Sequence, residues 1–117
     1  MRRGASVAAL ALVLAGCGGA NREGQRSLDA FLGSTDAARF ANRFPHRPGS
    51  IPCTARDPAA KRRVAATCST DLSLRSNHDV IVTFTVSWSH GSRARTWFVF
   101  LRRDGTLKRV QREGSSR

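Results

Sequence analysis

The chain has 117 residues, 20 Lys or Arg against 8 Asp or Glu, a net charge of +12 and three cysteines. That length holds one small domain at most. No apolar run reaches the roughly 20 residues that a membrane-spanning helix needs, and the cysteines are too few and too scattered for a zinc cluster.

The N-terminus is patterned as an export signal. Met1-Arg2-Arg3 is a charged start, and Ala5 to Ala15 is almost wholly apolar and small. It closes on Leu14-Ala15-Gly16-Cys17. This tetrapeptide resembles the bacterial lipobox, in which the cysteine thiol receives a diacylglyceryl group and the signal is cut just before it. The resemblance implies a signal peptide over 1–16 and a mature chain beginning at a lipidated Cys17. It also implies a location at the outer face of a cell membrane, held by lipid. Each acyl chain contributes about 0.8 kcal/mol per buried methylene, so two chains make a stable tether.

Residues 17–26 are Gly, Asn, Gln and charges without apolar periodicity, and read as a flexible tether. A small α+β domain is expected over 27–112, with a disordered tail at 113–117. Ser27 suits an N-cap. Leu28, Phe31 and Leu32 share one helical face, and Ala37, Phe40, Ala41 and Phe44 share another that is out of phase with it. Gly33-Ser34-Thr35-Asp36 lies between them as a stop and a new start, which predicts a broken helix.

Pro45, Pro48 and Pro52 then predict a loop from Pro45 to Cys53. Asp57-Pro58 has the chemistry of a helix start, so a short helix through Arg63 is expected. Val64, Ala66, Cys68, Thr70, Leu72 and Leu74 alternate with small or polar residues, the period of a half-buried strand. Ser76-Asn77-His78-Asp79 is turn chemistry. Val80, Val82, Phe84, Val86 and Trp88 alternate cleanly with Ser and Thr. After a turn at His90-Gly91-Ser92, two further strands flank Asp104-Gly105, a two-residue hairpin signal. With Cys17 committed to lipid, Cys53 and Cys68 form an even pair in an exported chain. They are expected to be bridged, for a loop of about 16 residues and roughly 3 kcal/mol.

The predicted fold is therefore α+β: an N-terminal broken helix packed on a four-stranded antiparallel meander, with one disulfide. Ser27–Phe44 as opening helices and Arg95–Val110 as a closing hairpin make the pattern similar to the cystatin-like and nuclear-transport-factor-two-like domains. Those families include both enzymes and non-enzymes, so no site residue follows from the resemblance. The last hairpin is apolar on both faces. Trp97, Phe98 and Phe100 must be buried by curvature of the sheet, pair with a second copy of the chain, or line a pocket.

Chemistry is sparse. His46, His78 and His90 lie in predicted loops without metal-ligand spacing, and the acidic residues are scattered. No nucleophile elbow and no Walker or Rossmann glycine pattern occurs, so no metal, cofactor or catalytic residue is assigned. The cations are the best lead. Arg102, Arg103, Lys108 and Arg109 converge at one hairpin tip with Arg112 farther down, and Lys61, Arg62 and Arg63 form a second group. Each group is either a solvated rim that blunts an edge strand or an anion-binding patch. The reading is a lipid-anchored envelope protein with a non-catalytic binding or scaffolding role toward a protein partner. The alternatives are an envelope polyanion binder using the arginine patches, and a small hydrolase or isomerase with a pocket under the sheet. The export signal speaks against nucleic acid as a partner.

Overall fold

The structure is a computed structural model that describes residues 22–88 and 93–113. Cys17, His90 and the tail from residue 114 lie outside the described residues. A helix over residues 22–32, α1, is followed by a 3-10 turn at Thr35–Ala37 and a short helix α2 at Ala38–Ala41. Five strands follow: β1 Gly49–Asp57, β2 Arg62–Leu74, β3 Val80–Trp88, β4 Ala94–Leu101 and β5 Leu107–Glu113. They form one antiparallel sheet in the order β1-β2-β3-β4-β5.

The helix break falls where the phase change puts it. Ser34 donates both its N–H and its Oγ–H to the Phe31 carbonyl, at 2.9 and 2.6 Å, closing α1. The change of axis turns both apolar sets onto one face of the sheet. Leu28 and Phe31 from α1, and Phe40 and Phe44 beyond the break, are buried there. Phe40 stacks on Phe84 with ring centroids 4.6 Å apart and meets Trp97 edge-on at 6.1 Å. Along β3 the inward residues Val80, Val82, Phe84 and Val86 are fully buried, as the alternation requires.

The sheet has five strands, not four. Gly49–Asp57, expected to be mostly loop, is an edge strand paired with β2 from Gly49↔Thr70 to Asp57↔Arg62. Pro52 masks the strand in the sequence. It is tolerated because an edge strand has a neighbour on one side only. The helix expected from Asp57-Pro58 is a single tight turn. Asp57 accepts the Ala59 N–H on its side chain at 2.9 Å and the Lys61 N–H on its carbonyl at 2.7 Å. Lys61 then takes φ +59°, which ends the helical path.

Ser27 is not an N-cap. Helix α1 already runs at residue 22, so residues 22–26 of the expected tether are helical. Ser27 is buried in the helix interior and donates its hydroxyl to the Arg103 carbonyl at 2.6 Å. That bond docks the β4–β5 hairpin on α1. The hairpin itself differs from a two-residue turn. Arg102 accepts the Gly105 N–H and donates to the Thr106 carbonyl, so three residues span the tip, with Gly105 at φ +90°. This is a type I turn closed by a left-handed residue. A two-residue turn would pair Leu101 with Lys108, Val99 with Val110 and Trp97 with Arg112; a register shift at Phe100/Leu101 sets Leu101 opposite Leu107 instead, while the other two pairs form.

The disulfide joins Cys53 to Cys68 across β1 and β2, with Cα atoms 5.9 Å apart. Cys68 is fully buried, on the face that the helices cover.

Candidate functional site

The two predicted basic groups lie at opposite ends of the sheet. Lys61 closes the β1–β2 turn, with Arg62 and Arg63 opening β2. Arg102 and Arg103 sit at the β4–β5 tip, beside the β2–β3 turn. The β4–β5 cations are engaged within the fold. Lys108 Nζ meets Asp79 Oδ2 at 2.6 Å, and Arg103 Nε lies 3.4 Å from Glu23 Oε2. Arg102 donates to the Leu107 carbonyl at 3.3 Å. The Arg109 guanidinium lies 4.1 Å from the centroid of the Phe100 ring. Arg112 pairs with Trp97 in the ladder and is exposed. These contacts staple the turns to α1 and to each other.

Trp97 faces the helices, whereas Phe98 and Phe100 stand half-buried on the opposite face. Arg109 covers Phe100 there through a cation–π contact. The remaining outward positions near Phe98 and Phe100 on β3 are Ile81, Thr83 and Thr85. His78 stands 3.5 Å from Glu23, and His46 is hydrogen-bonded at 2.6 Å to the Ala41 carbonyl. Both histidines therefore tie turns to helices. Among the described residues no group of three potential metal ligands occurs.

The other end of the sheet holds a cleft that sequence reasoning missed. Ala55, Val86, Trp88 and Trp97 give it an apolar lining, and Arg43, Arg56, Arg63 and Arg95 give it a cationic one. Its volume is about 200 Å³, and no carboxylate lines it among the described residues. Arg43 follows α2, Arg56 lies on β1, Arg63 on β2 and Arg95 on β4, so four separate elements bring the cations together. Three of the guanidinia are held by their surroundings. Arg63 Nη2 donates to the Thr54 carbonyl and Oγ1, both at 2.9 Å. Arg95 lies over the Trp88 ring at 5.9 Å, and Arg43 over the Phe44 ring at 5.7 Å. Trp88 is fixed in turn by its Nε1–H, which donates to the Ala55 carbonyl at 3.4 Å.

Arg43 is the unusual member. Its Nε is buried and has no hydrogen-bond partner among the described residues. Burial, and then the charges of Arg63 and Arg95, push the Arg43 pKa below its ordinary value. A guanidinium charged there carries an orphaned donor and like-charged neighbours, and both cost stability. Only Arg63 belongs to a cluster visible in the sequence. Arg43 and Arg95 stand apart from each other and from it, with no local signal.

No protein-family model, curated protein or solved structure matches this chain.

Proposed function

We propose that this chain is a lipid-anchored protein of the cell envelope whose folded domain binds rather than catalyses. The observation that carries the reading is the division of the three cysteines. Cys17 stands behind a short apolar run in a lipobox-like tetrapeptide. The other two are joined to each other, as expected where disulfides persist. The absence of a nucleophile or carboxylate from the arginine cleft, among the described residues, favours binding over hydrolysis or isomerisation.

The test is the intact mass of the membrane-extracted protein, before and after reduction and alkylation. The expected species begins at Cys17, carries a diacylglyceryl group and has two thiols that alkylate only after reduction. The Cys17→Ser variant should leave the membrane fraction. A full-length soluble chain with freely alkylated thiols would overturn the proposal.

The same division of residues leaves a second reading, in which an anionic envelope polymer is held by the exposed Lys61 and Arg62 beside the cleft. Binding that falls steeply with added salt favours it.

A further inference from the structure

The arginine cleft gathers cations and aromatic surface in one place, and its ligand class rests on the binding role proposed above. We infer that the cleft between the α2 end and the β1–β2 and β3–β4 ends of the sheet takes an organic phosphate. The phosphate lies among Arg43, Arg63 and Arg95, and an apolar body lies against Trp88 and Trp97.

Three observations converge on it. First, four arginines, Arg43, Arg56, Arg63 and Arg95, line the cleft with no carboxylate among the described residues. Arg63 and Arg95 lie close enough to Arg43 for their charges to add to the effect of burial in pushing its pKa below the ordinary value. Folded proteins ordinarily place an acid among cations packed this closely, so the missing countercharge is supplied from outside. A phosphate dianion answers several guanidinia better than a monoanion, and their planar forks match its oxygens. Second, the Arg43 Nε–H is buried without an acceptor, a group that a bound oxyanion would satisfy. Third, the floor is aromatic. Trp88 and Trp97 are 5% and 9% exposed, close the base of the cleft and offer apolar surface next to the cations. Inorganic phosphate would leave that surface wet, whereas an ester places its alcohol group there.

The arginines are pre-positioned, which lowers the cost of ordering them on binding. Thr54 orients Arg63, the Trp88 ring orients Arg95 and the Phe44 ring orients Arg43.

Tryptophan emission gives a direct readout, because Trp88 and Trp97 are the only tryptophans in the chain and both line the cleft. The full-length protein in detergent is titrated with phenyl phosphate, inorganic phosphate and phenol. Phenyl phosphate should change the emission saturably. Inorganic phosphate and phenol should each bind at least about tenfold more weakly, since each lacks one half of the ligand. Arg43→Ala should weaken phenyl phosphate binding by about tenfold or more, while Arg102→Ala, at the far end of the sheet, should leave it unchanged. Arg95→Ala, at a partly exposed position, supplies the same test should Arg43→Ala fail to fold. Vesicles containing an anionic phospholipid form a further arm. Binding that Arg95→Ala abolishes assigns the phosphate to a lipid headgroup, and binding of the soluble ester alone assigns a free one.

No saturable response to phenyl phosphate, or a response that none of the arginine variants alters, would overturn the inference. Equal affinity for phenol would overturn the role of the charges. These results are independent of the mass measurement. An anchored protein that ignores phosphate esters sinks this inference alone, and an unanchored chain that binds them sinks the anchor alone.

Discussion

Gly105 lies against Ala30: a Cβ placed on Gly105 would come within 2.5 Å of the Ala30 Cβ and 2.8 Å of the Ser27 carbonyl oxygen. The β4–β5 tip therefore presses backbone to backbone on α1. The same glycine has φ +90°, where an L side chain is strained. Closeness and conformation both demand glycine at this one position.

The Gly105→Ala variant should accordingly lose roughly 2–4 kcal/mol, combining the left-handed backbone cost with overpacking. In a urea titration the midpoint should fall with little change of slope, since the surface exposed on unfolding is unchanged. A midpoint within error of the parent protein would show that the hairpin does not rest on α1.

Loss of the Cys53–Cys68 bridge should be comparably costly. Reducing it opens a loop with a sequence separation of 15, worth about 3 kcal/mol in the chain-entropy account. For a domain of this size, that corresponds to a melting temperature lower by roughly 10–20 °C. Amide exchange should rise first along β1, which is paired only to β2. An unchanged melting curve in dithiothreitol, with both thiols demonstrably reduced, would refute the staple.

Lys108 and Asp79 give the fold a dependence on acid. The hydrogen bond from Lys108 holds the Asp79 carboxyl below its usual 3.8, aided by the Lys108 charge and by Asn77. The folded state thus gives up this proton more readily than the unfolded chain. Its contribution is complete above the unfolded value, and it is lost as the pH falls through the lowered one. Unfolding measured at pH 7 and near pH 3 should show Lys108→Met less stable than the parent at neutral pH, with the gap narrowing in acid. A gap that stays constant across that range would mean that Lys108 acts only through packing. Asp104 is likewise lowered by Thr106, but it is common to both proteins.

How much of this was legible varied with how local the cause was. The β3 strand could be read directly, because every inward position from Val80 to Trp88 is apolar and every outward one between them, apart from Ile81, is Thr or Ser. The helix break could be read from the phase of Phe31 against Phe40. The β1 strand could not. Its inward residues Ile51, Cys53 and Ala55 do alternate with Pro52, Thr54 and Arg56, but the inward set is short, Ile51 is 40% exposed, and Pro48 and Pro52 carry the signature of a loop. Asp57 shows a correct local reading with the wrong extent. It does cap the following turn, and Lys61 in the left-handed region stops that turn from becoming a helix. Ser27 illustrates the opposite limit. Its partner, the Arg103 carbonyl, is 76 residues away, and no neighbour in the chain announces it. The arginine cleft fails for the same reason, since its four arginines are contributed by a helix end and three different strands.

The sheet also sets a distance. Residue 23 is tied to the β2–β3 and β4–β5 turns through His78 and Arg103, whereas Trp88 and the arginine cleft sit at the other end of β3. Strand β3, Val80–Trp88, spans roughly 27 Å at about 3.4 Å per residue. A lipid on Cys17, only a few residues before α1, would moor the near end to the bilayer and leave the far end projecting. The sheet would then act as a strut between the mooring and the cleft. Lengthening that mooring would change how far the domain ranges without changing what the cleft captures.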